Sequence, residues 1–203
     1  MASIDTVVFD IGNVLIPWDP RWLFRKILAT EAEVEQFLSE VDFFHWNEQH
    51  DLGQLFADGI ADHSQRFPHY QYLFQAYFDR WEESMGVPIE GTIHLARELR
   101  AAGYRTLALT NFSAETFPRA TQRYAFLLEF EGVLVSGYEK VMKPDPAIYR
   151  LLCERYQVTP QRAVFIDDSL KNVQGARQFG MQSVHFQSVD QLVTDLGQLG
   201  VQV

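Results

Sequence analysis

Cysteine is nearly absent from this chain, since Cys153 is the single one among 203 residues. One thiol cannot form an internal disulfide, so we expect a reducing, cytoplasmic setting. The spacing of Cys153 from the apolar residues Ile148, Leu151 and Leu152 predicts a buried position on a helix.

Long apolar runs and positive charge are also lacking. No segment approaches the roughly 20 uninterrupted apolar residues of a membrane span, and the first residues enter a strand pattern without a basic leader or an apolar signal core. We therefore expect no membrane partner. The formal net charge of −10 also argues against a nucleic-acid partner, because binding to the phosphate backbone needs a basic surface.

The chain has the composition and length of a folded globular protein, with 47% apolar and 14% aromatic residues. No repeat, low-complexity tract or Ser/Gly linker interrupts it. Apolar runs of strand type occur at 6–9, 106–109, 132–135, 163–166 and 183–186. From about residue 89 onward these runs alternate with helical patterns, which predicts an α/β fold, a Rossmann-like and mostly parallel sheet flanked by helices.

Several residues predict helix boundaries in this second part. Gly103 and Gly180 suit helix C-termini, Ser113 is the expected N-cap after the second strand, and Pro146 suits the first turn of a helix. A final helix is predicted over roughly 188–199.

Residues 17–88 have a different pattern, without a convincing strand. A helix is expected after Asp19-Pro20, and Thr30 and Glu33 have the spacing of a capping box. Further helical patterns lie near 52–66 and 70–85. We therefore predict an α/β core formed by 1–16 and 89–203, with an all-helical insertion over 17–88.

Polar residues follow three of the predicted strands. They are Asp10, the pair Thr110-Asn111 and the pair Asp167-Asp168, and Lys143 lies in a later loop. Ligands of open α/β sheets bind outside the carboxyl ends of the strands. A carboxylate, adjacent acids and a lysine in such a place suit attack on an anionic substrate beside a divalent cation.

Each of these residues also has a simpler interpretation. Asp10 is a common turn residue after a strand, Thr110 suits a turn or a helix cap, and lysines such as Lys143 are usually solvated. The Asp167-Asp168 pair is harder to explain in this way, because adjacent carboxylates repel each other unless a cation or hydrogen bonds compensate.

The motifs around these residues resemble the haloacid dehalogenase-like hydrolase superfamily, most of whose members are Mg²⁺-dependent phosphatases. The resemblance rests on the order of the segments 9–15, 110–111, 143–149 and 165–172. It implies that Asp10 is the nucleophile, that Thr110 binds a phosphoryl oxygen and that Lys143 offsets negative charge. It also implies a helical cap at 17–88 and a Mg²⁺ ion held by Asp10, the carbonyl of Gly12, Asp168 and Asp167.

Gly12 departs from the common pattern of that superfamily. The usual phosphatase has a second aspartate there, acting as general acid and base, a contribution worth about 10²–10⁴-fold. Glu48, His45 or His50 of the insertion are candidates to replace it, and Glu48 and His45 are also candidate substrate contacts. Alternatively, residues 45–50 form the polar face of a helix, which aromatic side chains such as Trp46 attach to the rest of the fold.

The leading hypothesis is a phosphatase acting on a small phosphorylated metabolite, with sugar phosphates as the first choice and Asn111 orienting the nucleophile or binding substrate. One alternative is a 2-haloacid dehalogenase, which also lacks the second aspartate, and the Asp167-Asp168 pair argues against it. Another is a weakly active binding or regulatory protein. Asn172 is expected to support a metal-bound water. A monomer and a homodimer both remain open, since the aromatic-rich insertion offers a surface for pairing.

Overall fold

A computed structural model describes residues 3–202 of the chain. Met1, Ala2 and Val203, which belong to the predicted core segments, lie outside the described residues. Five parallel strands form one sheet. They are β1 (Thr6–Phe9), β2 (Arg105–Thr110), β3 (Gly132–Val135), β4 (Ala163–Asp167) and β5 (Gln182–His185). The five predicted strands and the parallel α/β fold are therefore confirmed.

The strand order is β3-β2-β1-β4-β5. The chain therefore extends the sheet on one side of β1 through β2 and β3, and then on the other side through β4 and β5. Such a reversal opens a crevice at the carboxyl ends of the central strands, where open α/β sheets bind their ligands.

Eleven α-helices occur among the described residues, some of which cover the two faces of the sheet and others of which lie within residues 17–88. They are α1 (Arg21–Phe24), α2 (Glu31–Glu40), α3 (Phe43–Asp51), α4 (Phe56–Arg66), α5 (Gln71–Asp79), α6 (Glu90–Ala101), α7 (Phe117–Arg123), α8 (Ser136–Glu139), α9 (Pro146–Tyr156), α10 (Leu170–Phe179) and α11 (Val189–Gln198). Short 3₁₀ turns occupy Pro68–Tyr70, Trp81–Ser84, Ala125–Glu129 and Pro160–Arg162.

Alternating side chains of the strands build two apolar layers. Val7 and Phe9 point into one layer, which α6 and α11 join, whereas Val8 points into the other, with α9 and α10. All three side chains are fully buried. This packing on both sides explains why the strands are almost continuously apolar in sequence.

Residues 17–88 contain α1 to α5 and two of the 3₁₀ turns, and their only sheet-like contact is a single bridge between Trp18 and Met85. The predicted capping box at the start of α2 is confirmed: Glu33 N donates to Thr30 Oγ1, and the Glu33 carboxylate accepts from Thr30 N. The segment around Trp46 is a regular helix, α3.

Two local expectations need correction. Ser113 does not cap a helix, because α7 begins only at Phe117, after Thr116. The segment before it is tied to α8 instead, where Phe112 N donates to Ser136 Oγ at 2.9 Å. Cys153 lies on α9 as expected, but it is only half-buried, and that burial raises the pKa of its thiol to about 11.

Among residues 3–202, no helix is both long enough and apolar enough to cross a membrane.

Candidate active site

Three of the predicted site residues meet at the carboxyl edge of the sheet. β1 lies between β2 and β4. Asp10, directly after β1, therefore lies between Thr110 at the end of β2 and Asp167 at the end of β4. All three are at least nine-tenths buried. The topology brings together residues that are about 100 and 157 positions apart in the chain.

Lys143 reaches into this group from the loop between α8 and α9. Its Nζ lies 2.8 Å from Asp10 Oδ1, 2.7 Å from Asp167 Oδ2 and 3.1 Å from the carbonyl oxygen of Leu109. These three contacts use all three donors of the ammonium group. Burial opposes its charge, but the carboxylates of Asp10 and Asp167 outweigh that effect and raise the pKa of Lys143.

Asp10 is held in a fixed orientation. Its Oδ1 accepts hydrogen bonds from the Ile11 amide at 2.7 Å and from Lys143 Nζ at 2.8 Å. Burial raises the pKa of Asp10 well above its ordinary value; Lys143 opposes this, whereas Asp167 adds to it. Asp10 Oδ2 receives neither of these two hydrogen bonds from the described residues, so it is the oxygen available to a cation or a substrate.

The adjacent acids differ in their surroundings. Asp167 is fully buried and accepts from Ser169 N at 2.8 Å and from Asn172 Nδ2 at 3.1 Å. Asp168 is partly exposed and accepts from Asn13 Nδ2 at 3.1 Å. Burial, reinforced by the neighbouring Asp167, raises the pKa of Asp168. Asp168 is thus the more accessible of the two carboxylates.

The donor set fits a divalent cation. Carboxylate oxygens of Asp10, Asp167 and Asp168 lie within 4.8 Å of one another, and Lys143 neutralises only one of the three charges. The Oδ1 atom of Asn172 is buried and has no hydrogen-bond partner among the described residues, so it is available to a metal-bound water. Hard oxygen donors of this kind suit Mg²⁺.

Gly12 and Asn13 form the turn that leaves β1. A Cβ atom placed on Gly12 would meet no atom within 4 Å, so neither crowding nor backbone conformation demands a glycine there. Asn13 has a φ of 55°, and its side chain joins Asp168 to the Trp18 amide, which donates to Oδ1 at 3.0 Å. The role of Asn13 was missed from sequence, although an Asn in a turn after a strand commonly adopts this conformation.

Asn111 contacts the lysine loop and not Asp10. Its Oδ1 accepts from Lys143 N at 2.9 Å, and its Nδ2 donates to Lys143 O at 3.0 Å. The amide thereby fixes the backbone from which the Lys143 side chain extends. The same residue also lines the cavity that adjoins the site, so a substrate contact stays a prediction.

A cavity of about 240 Å³ opens above the acids, between the sheet edge and residues 17–88. Its polar floor includes Asp10, Gly12, Asn13, Asn111 and Asp168. Its wall is mainly apolar and is formed by Trp18, Phe44, Phe56, Tyr77, Trp81, Met85 and Phe112. Asn47, Glu48, Asp51, Ser113 and Thr116 complete the lining. The cavity thus joins an anionic floor to an aromatic wall.

Three residues of α3 are candidates to replace the acid that is absent at Gly12, and they lie in different surroundings. Glu48 lines the cavity. His45 lies on an exposed part of the helix outside the cavity, with its Nδ1 3.8 Å from Glu48 Oε2. His50 is fully buried and stacks on Phe56 with 3.9 Å between ring centroids, and burial lowers its pKa to about 4. Of these three residues, only Glu48 faces the space above the acids.

Asp51, at the end of α3, is a cavity residue that sequence inspection missed. Its Oδ2 accepts from Asn47 Nδ2 at 3.2 Å, and Asn47 Oδ1 accepts from the hydroxyl of Tyr77 at 2.8 Å. Burial, together with the nearby Glu48, raises the pKa of Asp51 to about 7. No local sequence signal marks it, because distant residues create its surroundings.

The sequence matches one protein family over most of its length. The family model of haloacid dehalogenase-like hydrolases matches residues 4–180, and the chain belongs to this family of hydrolases.

Named relatives include both phosphatases and dehalogenases. A sesquiterpene phosphatase of Aspergillus oryzae is 25% identical over 195 residues, which is 95% of this chain and 94% of that protein. A (S)-2-haloacid dehalogenase of Pseudomonas sp. (strain CBS-3) is 32% identical over 93 residues, 45% of this chain and 40% of the dehalogenase. The family therefore leaves two reaction types open.

Among solved structures, a HAD family enzyme of Bacteroides thetaiotaomicron in complex with magnesium and inorganic phosphate superposes with a TM-score of 0.71. It is 22% identical, and the match covers 91% of this chain and 95% of that one. At this level of identity the likeness establishes the shared fold.

Proposed function

We propose that this hydrolase is a Mg²⁺-dependent phosphatase that cleaves small phosphomonoesters through an aspartyl-phosphate on Asp10. The observation that carries the proposal is the cluster of Asp10, Asp167 and Asp168 with only Lys143 to balance it. Three carboxylates at the carboxyl edge of the sheet and one ammonium group leave an excess of negative charge, which a divalent cation would compensate.

The residues have separate tasks in this mechanism. Asp10 attacks phosphorus in line with the departing oxygen, and Lys143 holds Asp10 in place and stabilises the negative charge of the phosphoryl group. Thr110, beside them at the end of β2, is a proposed contact of the phosphoryl oxygens, and Asn111 is proposed to hold Lys143 in position. Mg²⁺, held by Asp10, Asp168, Asp167 and the carbonyl of Gly12, would supply charge neutralisation.

The wall of the cavity supports a choice of substrate. A sugar would need several hydrogen-bonding partners, whereas seven of the twelve lining residues above the floor are apolar or aromatic. We therefore place phosphate esters with an apolar or aryl leaving group before sugar phosphates. The name of the Aspergillus oryzae relative, a sesquiterpene phosphatase, is in line with that order.

The helical segment 17–88 is proposed to act as a cap. It supplies the apolar wall from Trp18 to Met85, while the core supplies the acids. In this arrangement the segment chooses the leaving group, and the sheet edge performs the chemistry.

A paired assay on the purified chain tests the proposal. One arm follows phosphate release from 4-nitrophenyl phosphate, an isoprenoid monophosphate and sugar phosphates, with Mg²⁺ or with EDTA. The other arm follows halide release from 2-haloacids. We expect phosphate release that EDTA abolishes and that Asp10→Asn removes, while Asp62→Asn, a change at an exposed residue of α4, leaves it intact. Metal-independent halide release without phosphate release would favour the dehalogenase.

One substitution in the cavity wall tests the preference for an apolar leaving group. Phe44 lines the cavity yet is 43% exposed, so Phe44→Ala removes wall area with little effect on folding. We expect kcat/KM for the isoprenoid substrate to fall about tenfold, the equivalent of some 1.4 kcal/mol of lost apolar contact. An equal fall for sugar phosphates would contradict the preference.

A further inference from the structure

The turn after β1 lacks an acid that could protonate a leaving group. Gly12 has no side chain, and its neighbour Asn13 is bonded to Asp168 and to the Trp18 amide. Departure of an alkoxide is slow unless its oxygen receives a proton as the bond to phosphorus breaks. If the proposed phosphatase activity holds, another residue of the same cavity must carry that proton.

The cavity offers two carboxyl groups on its α3 side, Glu48 and Asp51. The side chain of Glu48 is 44% exposed and lies beside His45. Asp51 is more enclosed, and its main chain is anchored where Ser136 Oγ donates to Asp51 O at 2.6 Å. This anchor joins the end of α3 to α8, next to the core of the fold. Asp51 is therefore the better positioned of the two.

A hydrogen-bonded chain orients the Asp51 side chain. The Tyr77 hydroxyl donates to Asn47 Oδ1, and Asn47 Nδ2 donates to Asp51 Oδ2. Tyr77 and Trp81 provide apolar surface around the same part of the cavity. The aromatic wall favours the neutral acid, and the side-chain hydrogen bond to Asp51 comes from a neutral amide, which stabilises the carboxylate less than a cation would.

We propose that Asp51 is the general acid and base of this enzyme, replacing the acid that is absent at Gly12. This assignment rests on the proposed phosphatase function. In the first step an oxygen of Asp10 bonds to phosphorus, and the bond from phosphorus to the leaving oxygen breaks with its electron pair. The proton of Asp51 passes to that oxygen, so the alcohol leaves uncharged.

The second step returns the proton. The Asp51 carboxylate takes a proton from water as the water oxygen bonds to phosphorus. The bond from phosphorus to Asp10 then breaks, which releases inorganic phosphate and restores both residues. One water molecule is consumed, and no oxidant or further reactant is needed.

The charges around Asp51 set the sign of its pH dependence. Burial and Glu48 raise the pKa of Asp51 to about 7, while Lys143 and the Ser113 amide oppose them. The Tyr77 hydroxyl is neutral at neutral pH, because burial raises its pKa further. The acid form is therefore lost as the pH rises through about 7, and steps that need the proton slow down on the basic side.

The test compares two substrates with the same phosphate and a similar aromatic body. The nitrophenyl ester, 4-nitrophenyl phosphate, releases an acidic phenol, which needs no proton. The phenethyl ester, in which phosphate is joined to phenethyl alcohol, releases an aliphatic alcohol, which does need one. The quantity to compare is kcat/KM, because it covers the steps up to departure of the leaving group. Asp51→Asn keeps the shape of the side chain, and Asp62→Asn is the matched surface control.

For Asp51→Asn we expect kcat/KM to fall about 10²–10⁴-fold with the phenethyl ester and to stay within about threefold of wild type with the nitrophenyl ester. Asp51→Glu should retain part of the kcat/KM that Asp51→Asn loses with the phenethyl ester. An equal fall for both substrates, or no fall for either, would overturn the assignment while leaving the phosphatase proposal standing. If the wild-type protein releases no phosphate from either substrate, both proposals fail.

The pH profile of the wild-type protein decides the question even if Asp51→Asn does not fold. With the phenethyl ester we expect kcat/KM to decline as the pH rises through about 7, and with the nitrophenyl ester we expect no such decline. The same basic limb for both substrates would overturn the assignment.

Discussion

The side-chain amide of Asn111 forms two hydrogen bonds with the backbone of Lys143, 2.9 Å to its nitrogen and 3.0 Å to its oxygen. This pair links the end of β2 to the loop before α9. It also fixes the starting point of the lysine side chain that reaches Asp10 and Asp167. The position of the buried ammonium thus depends on a residue that carries no charge.

Replacing Asn111 tests this link. Asn111→Ala leaves two backbone groups of Lys143 without partners, so we expect the free energy of unfolding to fall by about 1–3 kcal/mol. Phosphate release should lose kcat with little change in KM if Asn111 acts by positioning Lys143. A rise in KM alone would instead indicate a direct substrate contact. Denaturant unfolding and steady-state kinetics measure both, with the exposed Gln36→Ala on α2 as control.

Magnesium should stabilise the fold apart from any activity. At about 100 times its Kd, a bound ion adds about 2.7 kcal/mol, which corresponds to a rise in Tm of about 5–10 °C for a chain of this size. Asp168→Asn keeps an acceptor for Asn13 but removes a charged ligand, so the rise should shrink by at least half. A thermal melt measures it, and an undiminished rise in Asp168→Asn would argue against the proposed metal site.

The metal-free protein should lose stability as the pH rises. Burial raises the pKa values of Asp10, Asp51 and Asp168, so the folded chain binds these protons more tightly than the unfolded chain. The resulting stabilisation is complete below the usual Asp pKa of about 4 and disappears as the pH passes the raised values. For Asp51 the stabilisation is lost as the pH rises through about 7.

Asp51→Asn isolates the contribution of that residue. Between pH 5 and pH 8 in EDTA, we expect the free energy of unfolding of the wild type to fall by about 2–4 kcal/mol more than that of the variant. Urea unfolding at the two pH values gives the difference. Parallel losses in both proteins would show that the Asp51 carboxyl is not perturbed.

Gly12→Asp should be tolerated, because a Cβ atom there meets nothing within 4 Å. In the presence of Mg²⁺ we expect a change in stability of no more than about 0.5 kcal/mol. Combined with Asp51→Asn, it should recover about tenfold or more of the kcat/KM lost for the phenethyl ester. Absence of recovery in a folded, Mg²⁺-binding double variant would show that position 12 cannot deliver a proton in this chain.

Much of the framework was predictable from sequence, because its signals are local. Strands such as β1 are buried on both faces and are therefore apolar runs in the sequence. The capping box that begins at Thr30 predicts the start of α2. Asp10 and Asp167 were recognisable because they follow such strands, and parallel strands collect their ends at one edge.

The parts that were missed depend on contacts between distant segments. Asp51 resembles any polar helix residue in sequence, and its raised pKa arises first from burial, to which side chains of other elements such as Tyr77 contribute. The pairing of Asn111 with Lys143 joins residues 32 positions apart. Ser113 suits a helix cap by residue type, but its segment packs against α8, so α7 begins later.

The account depends most on a phosphoryl group carried by Asp10. The measurement is rapid acid quench of the protein while it turns over the nitrophenyl ester with Mg²⁺, followed by mass spectrometry of the peptide that contains Asp10. We predict a phosphoryl adduct on Asp10 that forms before phosphate is released and is absent in Asp10→Asn. Phosphate release without any adduct, or an ester adduct formed from a 2-haloacid in its place, would contradict the account.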